Sequence, residues 1–104
     1  MIFIETSVFT RQIKELVSDE EYSAFQVELA NGPEAGDVIQ GTGGLRKIRM
    51  AAKGHGKRGG ARVIYYYFTS ESHIALLLAY AKNEAEDLSA AQKKLLKQII
   101  EQWR

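Results

Sequence analysis

The stretch Arg62-Val-Ile-Tyr-Tyr-Tyr-Phe68 is the clearest indication of the fold in this chain of 104 residues. Its β-branched and aromatic side chains favour a strand over a helix. Because successive side chains of a strand point to opposite faces, the stretch divides into two sets. One face carries Arg62, Ile64, Tyr66 and Phe68, and the other carries Val63, Tyr65 and Tyr67. We therefore expect this stretch to lie within a sheet that has helices packed on it.

The segments on both sides of this stretch also have the composition of strands. Residues 69–72 are typical of a hairpin turn, and residues 73–81 are mostly apolar. Because both faces of segment 73–81 are apolar, we expect it to be a central strand. Residues 45–50 follow the flexible turn Gly41-Thr-Gly-Gly44 and alternate between apolar and basic. Together these segments predict an antiparallel meander.

The alternation within residues 45–50 gives that strand an apolar side and a cationic side. Ile48 and Met50 share one face, and Lys47 and Arg49 share the other. Arg62 is expected to face the same way as these two cations. One face of the meander is therefore predicted to be basic.

Helix signals flank the meander at both ends of the chain. Residues 2–5 predict a short strand, and Thr6 or Ser7 is a suitable N-cap for a helix that ends near Val17. Ser18 with Glu21 forms a capping box for a second helix, which residues 31–33 (Asn-Gly-Pro) end. A second capping box, Ser89 with Gln92, begins a final helix. The order β-α-α-β-β-β-α predicts a single α+β domain over residues 1–104, with a helical hairpin and the other helix on one face of an antiparallel sheet.

The charge of the chain is distributed very unevenly. Residues 38–70 contain no Asp or Glu, whereas the whole chain has a formal net charge of only +1. The bases of this segment are Arg46, Lys47, Arg49, Lys53, Lys57, Arg58 and Arg62. An acid-free basic stretch in a nearly neutral chain is a plausible footprint for a polyanion, and phosphate backbones are the commonest such partner.

Several classes of function are excluded by the residues that the chain contains. It has no Cys, which excludes disulfides and thiol nucleophiles and is consistent with a cytoplasmic protein. Residues 54–59 match G-x-G-x-x-G, but the flanking segments are strands, so a dinucleotide site is not expected. The two His residues do not suggest a metal site, and we expect no cofactor. The first residues become polar too soon for a membrane span.

Four motifs in order resemble one known family. They are Gly41-Thr-Gly-Gly-Leu-Arg-Lys-Ile-Arg49, Gly56-Lys-Arg-Gly-Gly60, Arg62-Val-Ile-Tyr-Tyr66 and Tyr80-Ala-Lys-Asn-Glu84. Together they resemble the HigB branch of the RelE/ParE toxins over essentially the whole chain. The order of the elements also agrees with that family.

The resemblance implies the toxin of a type II toxin-antitoxin pair. RelE-like members enter the ribosomal A site and cleave the bound mRNA without a metal, so the implied partners are the ribosome, mRNA and a cognate antitoxin. A HigA-like antitoxin with a helix-turn-helix domain is expected. The resemblance assigns catalysis to Lys47, Arg49, Arg62 and Lys82. It assigns the binding of ribosomal RNA or mRNA phosphates to Lys53, Lys57 and Arg58, and Arg46 and Asn83 are further binding candidates. Tyr66 is a candidate for stacking on a base because it shares a face with Arg62, although consecutive tyrosines more often serve packing.

The chemistry of cleavage is consistent with these residue types. Guanidinium groups such as that of Arg62 can stabilise the charge that develops on the phosphoryl oxygens when the 2′-OH attacks. Lys47 is one possible base, because nearby like charges disfavour the charged form of a lysine. The chain departs from RelE at Asn83 and Leu88, where RelE has an Arg and a Tyr, which leaves the general acid unassigned.

Two other functions remain open from the sequence. A ParE-like toxin would share the fold, inhibit DNA gyrase and cut no RNA, although such an inhibitor needs no cation cluster. A non-catalytic module that binds nucleic acid would also explain the charge asymmetry.

Overall fold

The computed structural model of this protein describes residues 1–50, 60–81 and 88–103. They form one five-stranded sheet, in the order β1-β5-β4-β3-β2, with three helices. The elements are β1 Ile2–Glu5, α1 Ser7–Leu16, α2 Asp19–Asn31, β2 Asp37–Val38, β3 Arg46–Met50, β4 Ala61–Phe68, β5 His73–Ala81 and α3 Ala90–Trp103. The predicted α+β class is confirmed. Within the described ranges, every helix is too short or too polar to cross a membrane.

The sheet is mixed, because β1 runs parallel to β5, whereas β3, β4 and β5 pair antiparallel as predicted. β2 pairs antiparallel with β3. β5 lies between β1 and β4, one place from the middle strand, as its two apolar faces suggested. The two-residue strand β2 was not predicted, because two residues are too few to show an alternation. The parallel pair was also missed, because a strand pattern does not reveal the direction of its partner.

Helices cover both faces of the sheet. α1 and α2 pack on one face against a core that includes Val63, Tyr65 and Leu76, and we call this the hairpin face. α3 packs on the other face through Leu96 and Ile100, and we call this the α3 face. The expected helical hairpin on one face is confirmed, but the expectation that α3 would join it is wrong. β4 and β5 are apolar on both sides, so the second face also needs cover.

The predicted helix starts are confirmed by their hydrogen bonds. The Thr6 hydroxyl accepts from the Phe9 N–H at 3.0 Å and caps α1. Ser18 and Glu21 form both bonds of the capping box at α2. Before α3, the Ser89 N–H donates to Gln92 Oε1 at 2.9 Å and the Gln92 N–H donates to Ser89 Oγ at 3.1 Å. These caps satisfy N–H groups that have no partner within a helix.

A β-bulge interrupts the pairing of β4 with β5. Tyr65 is opposite Leu76 and Ile64 is opposite Leu78, so Leu77 is the extra residue on β5. Beyond it the side chains change face: Ala79 lies in the hairpin-face core, and Tyr80 packs against the α3-face core. Bulges of this kind redirect side chains and often occur beside functional sites.

The side chain of Tyr65 ties the sheet to the loop that follows α2. It is fully buried in the hairpin-face core. Its hydroxyl donates to the Pro33 carbonyl at 2.8 Å and accepts from the Gly36 N–H at 2.9 Å. A Cβ added at Gly36 would lie 2.8 Å from the Tyr65 ring, so this close approach requires glycine. Burial raises the pKa of Tyr65 above its ordinary value and keeps the hydroxyl protonated as a donor.

Arg46 binds the same loop from the neighbouring strand. It is opposite Tyr65 in the β3–β4 register. Its Nη1 donates to the carbonyls of Glu34 at 3.0 Å and Gly36 at 2.8 Å. The Glu34 carboxylate lies 3.7 Å from Arg46 Nη2 and is largely exposed, so this ion pair contributes little beside the two hydrogen bonds. Arg46 and Tyr65 therefore hold β3 and β4 to one loop from the same face.

The register that results places two like charges opposite each other. Arg49 on β3 is paired with Arg62 on β4. Side chains directly opposite in an antiparallel pair lie close together on the same face. The buried contacts on the hairpin face set the register that brings these two guanidinium groups side by side.

We predict that Tyr65→Phe lowers the free energy of unfolding by about 1–3 kcal/mol, because the Gly36 N–H and the Pro33 carbonyl each lose a partner. Urea denaturation followed by circular dichroism measures the change. Tyr67→Phe is the matched control, since Tyr67 is half-buried two residues further along β4. It should change stability by less than about 0.5 kcal/mol. Equal effects of the two variants would contradict the assigned role of the Tyr65 hydroxyl.

We predict unequal effects from neutralising two arginines of β3. Arg46→Gln should lower the free energy of unfolding by about 1–2 kcal/mol, because two hydrogen bonds to the loop after α2 are lost. Arg49→Gln is the comparison, since Arg49 is exposed on the other face of the same strand, and it should change the free energy of unfolding by less than about 0.5 kcal/mol. The same denaturation measurement decides, and a loss for Arg49→Gln as large as the loss for Arg46→Gln would contradict the assigned role of Arg46.

Candidate nucleic-acid interface

Three of the predicted cations share the α3 face of the sheet. Lys47 and Arg49 alternate with the hairpin-face residues of β3, and Arg62 is the register partner of Arg49 on β4. Directly opposite residues of an antiparallel pair have side chains on the same face. The alternation of residues 45–50 and 62–68 therefore placed Lys47, Arg49 and Arg62 together correctly. We call these three residues the cation row.

The cation row lies at the margin of the α3-face core. Arg49 is exposed, while Lys47 and Arg62 are half-buried. The register partner of Lys47 is Ile64, which is fully buried in the α3-face core. Arg62 is two residues along β4 from Ile64, at the next position on this face. The row thus combines an exposed charge with charges held against packed side chains, where the local dielectric is lower than in water.

Within residues 1–50, 60–81 and 88–103, one acidic residue is a register neighbour of the cation row. Asp37 on β2 is the register partner of Lys47, and it is exposed. Asp37 is the residue just before the acid-free segment 38–70. Counting the charges within that segment therefore did not show that this carboxylate lies beside Lys47. The β2 edge of the face is therefore less favourable for a phosphate than the region between β3 and β4.

Tyr80 joins this face from β5 and was not identified as a site residue from the sequence. It is the register partner of Arg62, so Arg49, Arg62 and Tyr80 form one line across three strands. Regular alternation from Ile74 or Leu76 would place Tyr80 on the hairpin face. The extra residue Leu77 reverses this, and the sequence carries no local signal for such a bulge.

Two residues expected to bind RNA have contacts within the fold. Arg46 lies on the hairpin face, where its guanidinium binds the loop after α2. Tyr66 is half-buried on the α3 face and packs edge-on against Phe68, with ring centroids 4.7 Å apart. A Cβ at Gly44 would lie 3.1 Å from the Tyr66 ring, so one edge of the ring abuts the turn before β3. Neither residue lies in the cation row.

The remaining expected site residues lie outside the described residues. They are Lys53, Lys57, Arg58, Lys82 and Asn83. Leu88, one of the two departures from RelE, is described and is buried in the α3-face core. An apolar buried side chain at this position cannot transfer a proton. Among the residues that the structure describes, no group of three or more His, Cys, Asp and Glu side chains is placed to hold a metal ion.

The arrangement can bind and stabilise anionic phosphoryl oxygens. Guanidinium groups present several donors in a fixed plane and match phosphate oxygens in pairs. Arg49 and Arg62 are brought side by side by backbone pairing, so their approach does not depend on the ligand. A phosphodiester bound at this row would meet two guanidinium groups and the side-chain nitrogen of Lys47.

Three solved structures of E. coli proteins share the fold. A chain of the intact RelBE toxin-antitoxin complex is 17% identical with a TM-score of 0.59, over 77% of this chain and 94% of that chain. A mutant of the toxin RelE in the free state is 16% identical with a TM-score of 0.53, over 82% and 86% of the two chains. The isolated RelE toxin is 18% identical with a TM-score of 0.51, over 94% and 97%.

These structures are distant in sequence and show only the fold. The family of the chain is shown by a family model. The model described as the RelE toxin of the RelE / RelB toxin-antitoxin system matches residues 1–104. The match includes the strands that carry the cation row. With a family model that covers every residue of the sequence and a fold shared with RelE structures, the chain belongs to the RelE toxin family.

Proposed function

We propose that this protein is a ribosome-dependent endoribonuclease that cleaves mRNA and so inhibits translation. The observation that carries the proposal is the cation row, in which Arg49 is opposite Arg62 and Lys47 lies on the same face. Backbone pairing places these two guanidinium groups side by side, where they can bind one phosphate group together.

The proposed reaction is attack of a ribose 2′-OH on the adjacent phosphorus. The O2′–P bond forms, the P–O5′ bond breaks, and the products are a 2′,3′-cyclic phosphate and a 5′-OH. Negative charge on the non-bridging oxygens increases in the transition state. Arg62, half-buried and fixed on β4, and Arg49 on β3 are placed to stabilise this charge. The proton of the 2′-OH passes to a base, for which Lys47 is the proposed residue, and another proton passes to O5′.

The other proposed contacts follow from the family resemblance. Lys53, Lys57 and Arg58 bind phosphates of ribosomal RNA or of the message, while Lys82 and Asn83 complete the site from the segment after β5. We also propose that the protein belongs to the HigB branch, acts in the cytoplasm and is neutralised by a HigA-like antitoxin with a helix-turn-helix domain. A relative of known structure, E. coli RelE, occurs in a toxin-antitoxin complex, which supports a protein antitoxin as partner.

The test is primer extension on ribosome-bound mRNA with purified protein. We expect the wild type to produce new 5′ ends within the bound codon and Arg62→Gln to lower the cleavage rate by about 100-fold or more, because a preorganised donor to the developing charge is lost. Arg11→Gln is the matched control, since it makes the same charge change at an exposed position of α1. It should cleave as fast as the wild type.

Other results would refute the proposal in distinct ways. Full cleavage by Arg62→Gln would remove the cation row from the mechanism. Loss of DNA integrity before protein synthesis, on inducing the wild type in cells, would identify a gyrase-directed toxin. Binding to RNA with a steep salt dependence but no cleaved product would leave a non-catalytic module.

A further inference from the structure

Tyr80 is held on the α3 face by contacts that fix the β-bulge. The Thr6 N–H donates to the Leu76 carbonyl at 3.1 Å, and the Thr6 hydroxyl donates to the carbonyl of the extra residue Leu77 at 2.9 Å. After β1 ends, the Ala79 N–H donates to the side-chain oxygen of Gln12 on α1 at 2.8 Å. Two hydrogen bonds from Thr6, the N-cap of α1, and one to Gln12 of α1 thus hold β5 in the conformation that places Tyr80 on the α3 face.

The neighbours of Tyr80 define what its ring can meet. Its register partner is Arg62, which in turn is opposite Arg49. Neighbouring strands lie about 4.8 Å apart, so Tyr80 is one strand spacing from Arg62 and two from Arg49. On the other side of the cation row, exposed Asp37 disfavours a phosphate. A nucleotide whose phosphate is bound by Arg49 and Arg62 is therefore best accommodated with its base over β5.

The burial of Tyr80 favours contact through the carbon atoms of its ring. The residue is half-buried, but its hydroxyl oxygen is buried. The exposed part of the side chain is therefore carbon of the ring. Aromatic faces stack on nucleobases with little dependence on sequence, and such stacking accompanies a positively charged track for the backbone in many single-strand binding sites.

We propose that Tyr80 is an RNA-contacting residue that stacks on a base of the mRNA codon beside the scissile phosphate. This inference rests on the proposed cleavage of mRNA and adds to it a positioning contact for the base. The stacked base fixes its nucleotide relative to Arg62, so the phosphate is held in line with the attacking 2′-OH. The hydroxyl takes no part in proton transfer.

Cleavage of mRNA on programmed ribosomes tests this proposal with three variants. Tyr80→Phe keeps the ring and should cleave within about twofold of the wild type. Tyr80→Leu and Tyr80→Met remove the ring and keep apolar volume against the α3-face core. They should lose about 5- to 150-fold in kcat/KM, the equivalent of about 1–3 kcal/mol of stacking. Thermal unfolding of each variant shows which are folded, and the comparison uses those.

A fluorescence measurement separates stacking from a merely structural role. The mRNA carries 2-aminopurine at a codon position next to the scissile bond and a 2′-O-methyl group that blocks attack. Because stacking on an aromatic ring quenches 2-aminopurine, the wild type and Tyr80→Phe should quench its fluorescence more than Tyr80→Leu and Tyr80→Met do. Equal quenching by all four proteins at each codon position would overturn the proposal.

The cleavage assay has three further outcomes. Undiminished cleavage by a folded Tyr80→Leu or Tyr80→Met protein overturns the stacking role while leaving the proposed function intact. A Tyr80→Phe protein that is folded and as slow as Tyr80→Leu shows that the hydroxyl acts, which also overturns it. A wild type that cuts no ribosome-bound mRNA refutes the proposed function, and the role of Tyr80 falls with it.

Discussion

The anchoring of Tyr65 in the loop after α2 is the constraint on which the arrangement of the sheet depends. Its fully buried hydroxyl binds both Pro33 and Gly36, so the side chain cannot turn to the other face without leaving these groups unsatisfied. A slip of one residue would move each side chain of β4 to the opposite face. Arg46, opposite Tyr65, is held to the same loop. The cation row appears on the α3 face because these neighbouring residues are fixed on the hairpin face.

Much of this fold could be predicted from local patterns in the sequence. The capping boxes at Ser18 and Ser89 mark where α2 and α3 begin, and the alternation of residues 45–50 and 62–68 gives the faces of β3 and β4. The parallel partner of β1 and the face that α3 covers could not be predicted. Both features depend on contacts between segments that are distant in the chain. The local sequence of each segment is compatible with more than one partner strand or face.

The residues of the candidate site could be predicted only on strands in which side chains alternate regularly between the two faces. Lys47, Arg49 and Arg62 come together because β3 and β4 are regular between them. Charge alone could not distinguish Arg46 from Lys47 and Arg49. The guanidinium group of Arg46 binds the loop after α2 and so serves the fold, which a count of basic residues does not show. Tyr80 was missed because a bulge on β5 breaks the two-residue period, and the residues that hold this bulge, Thr6 and Gln12, are about 70 positions away in the chain.

The opposed arginines link the fold to its proposed work. Arg49 and Arg62 are register partners on β3 and β4, so backbone pairing holds the two guanidinium groups side by side. That register is fixed by the contacts of Tyr65 and Arg46 on the hairpin face. Little free energy is therefore spent on rearranging the strands when a phosphate binds, and such preorganisation favours binding. Because the two guanidinium groups present several donors to the same region, the arrangement favours a ligand with concentrated negative charge.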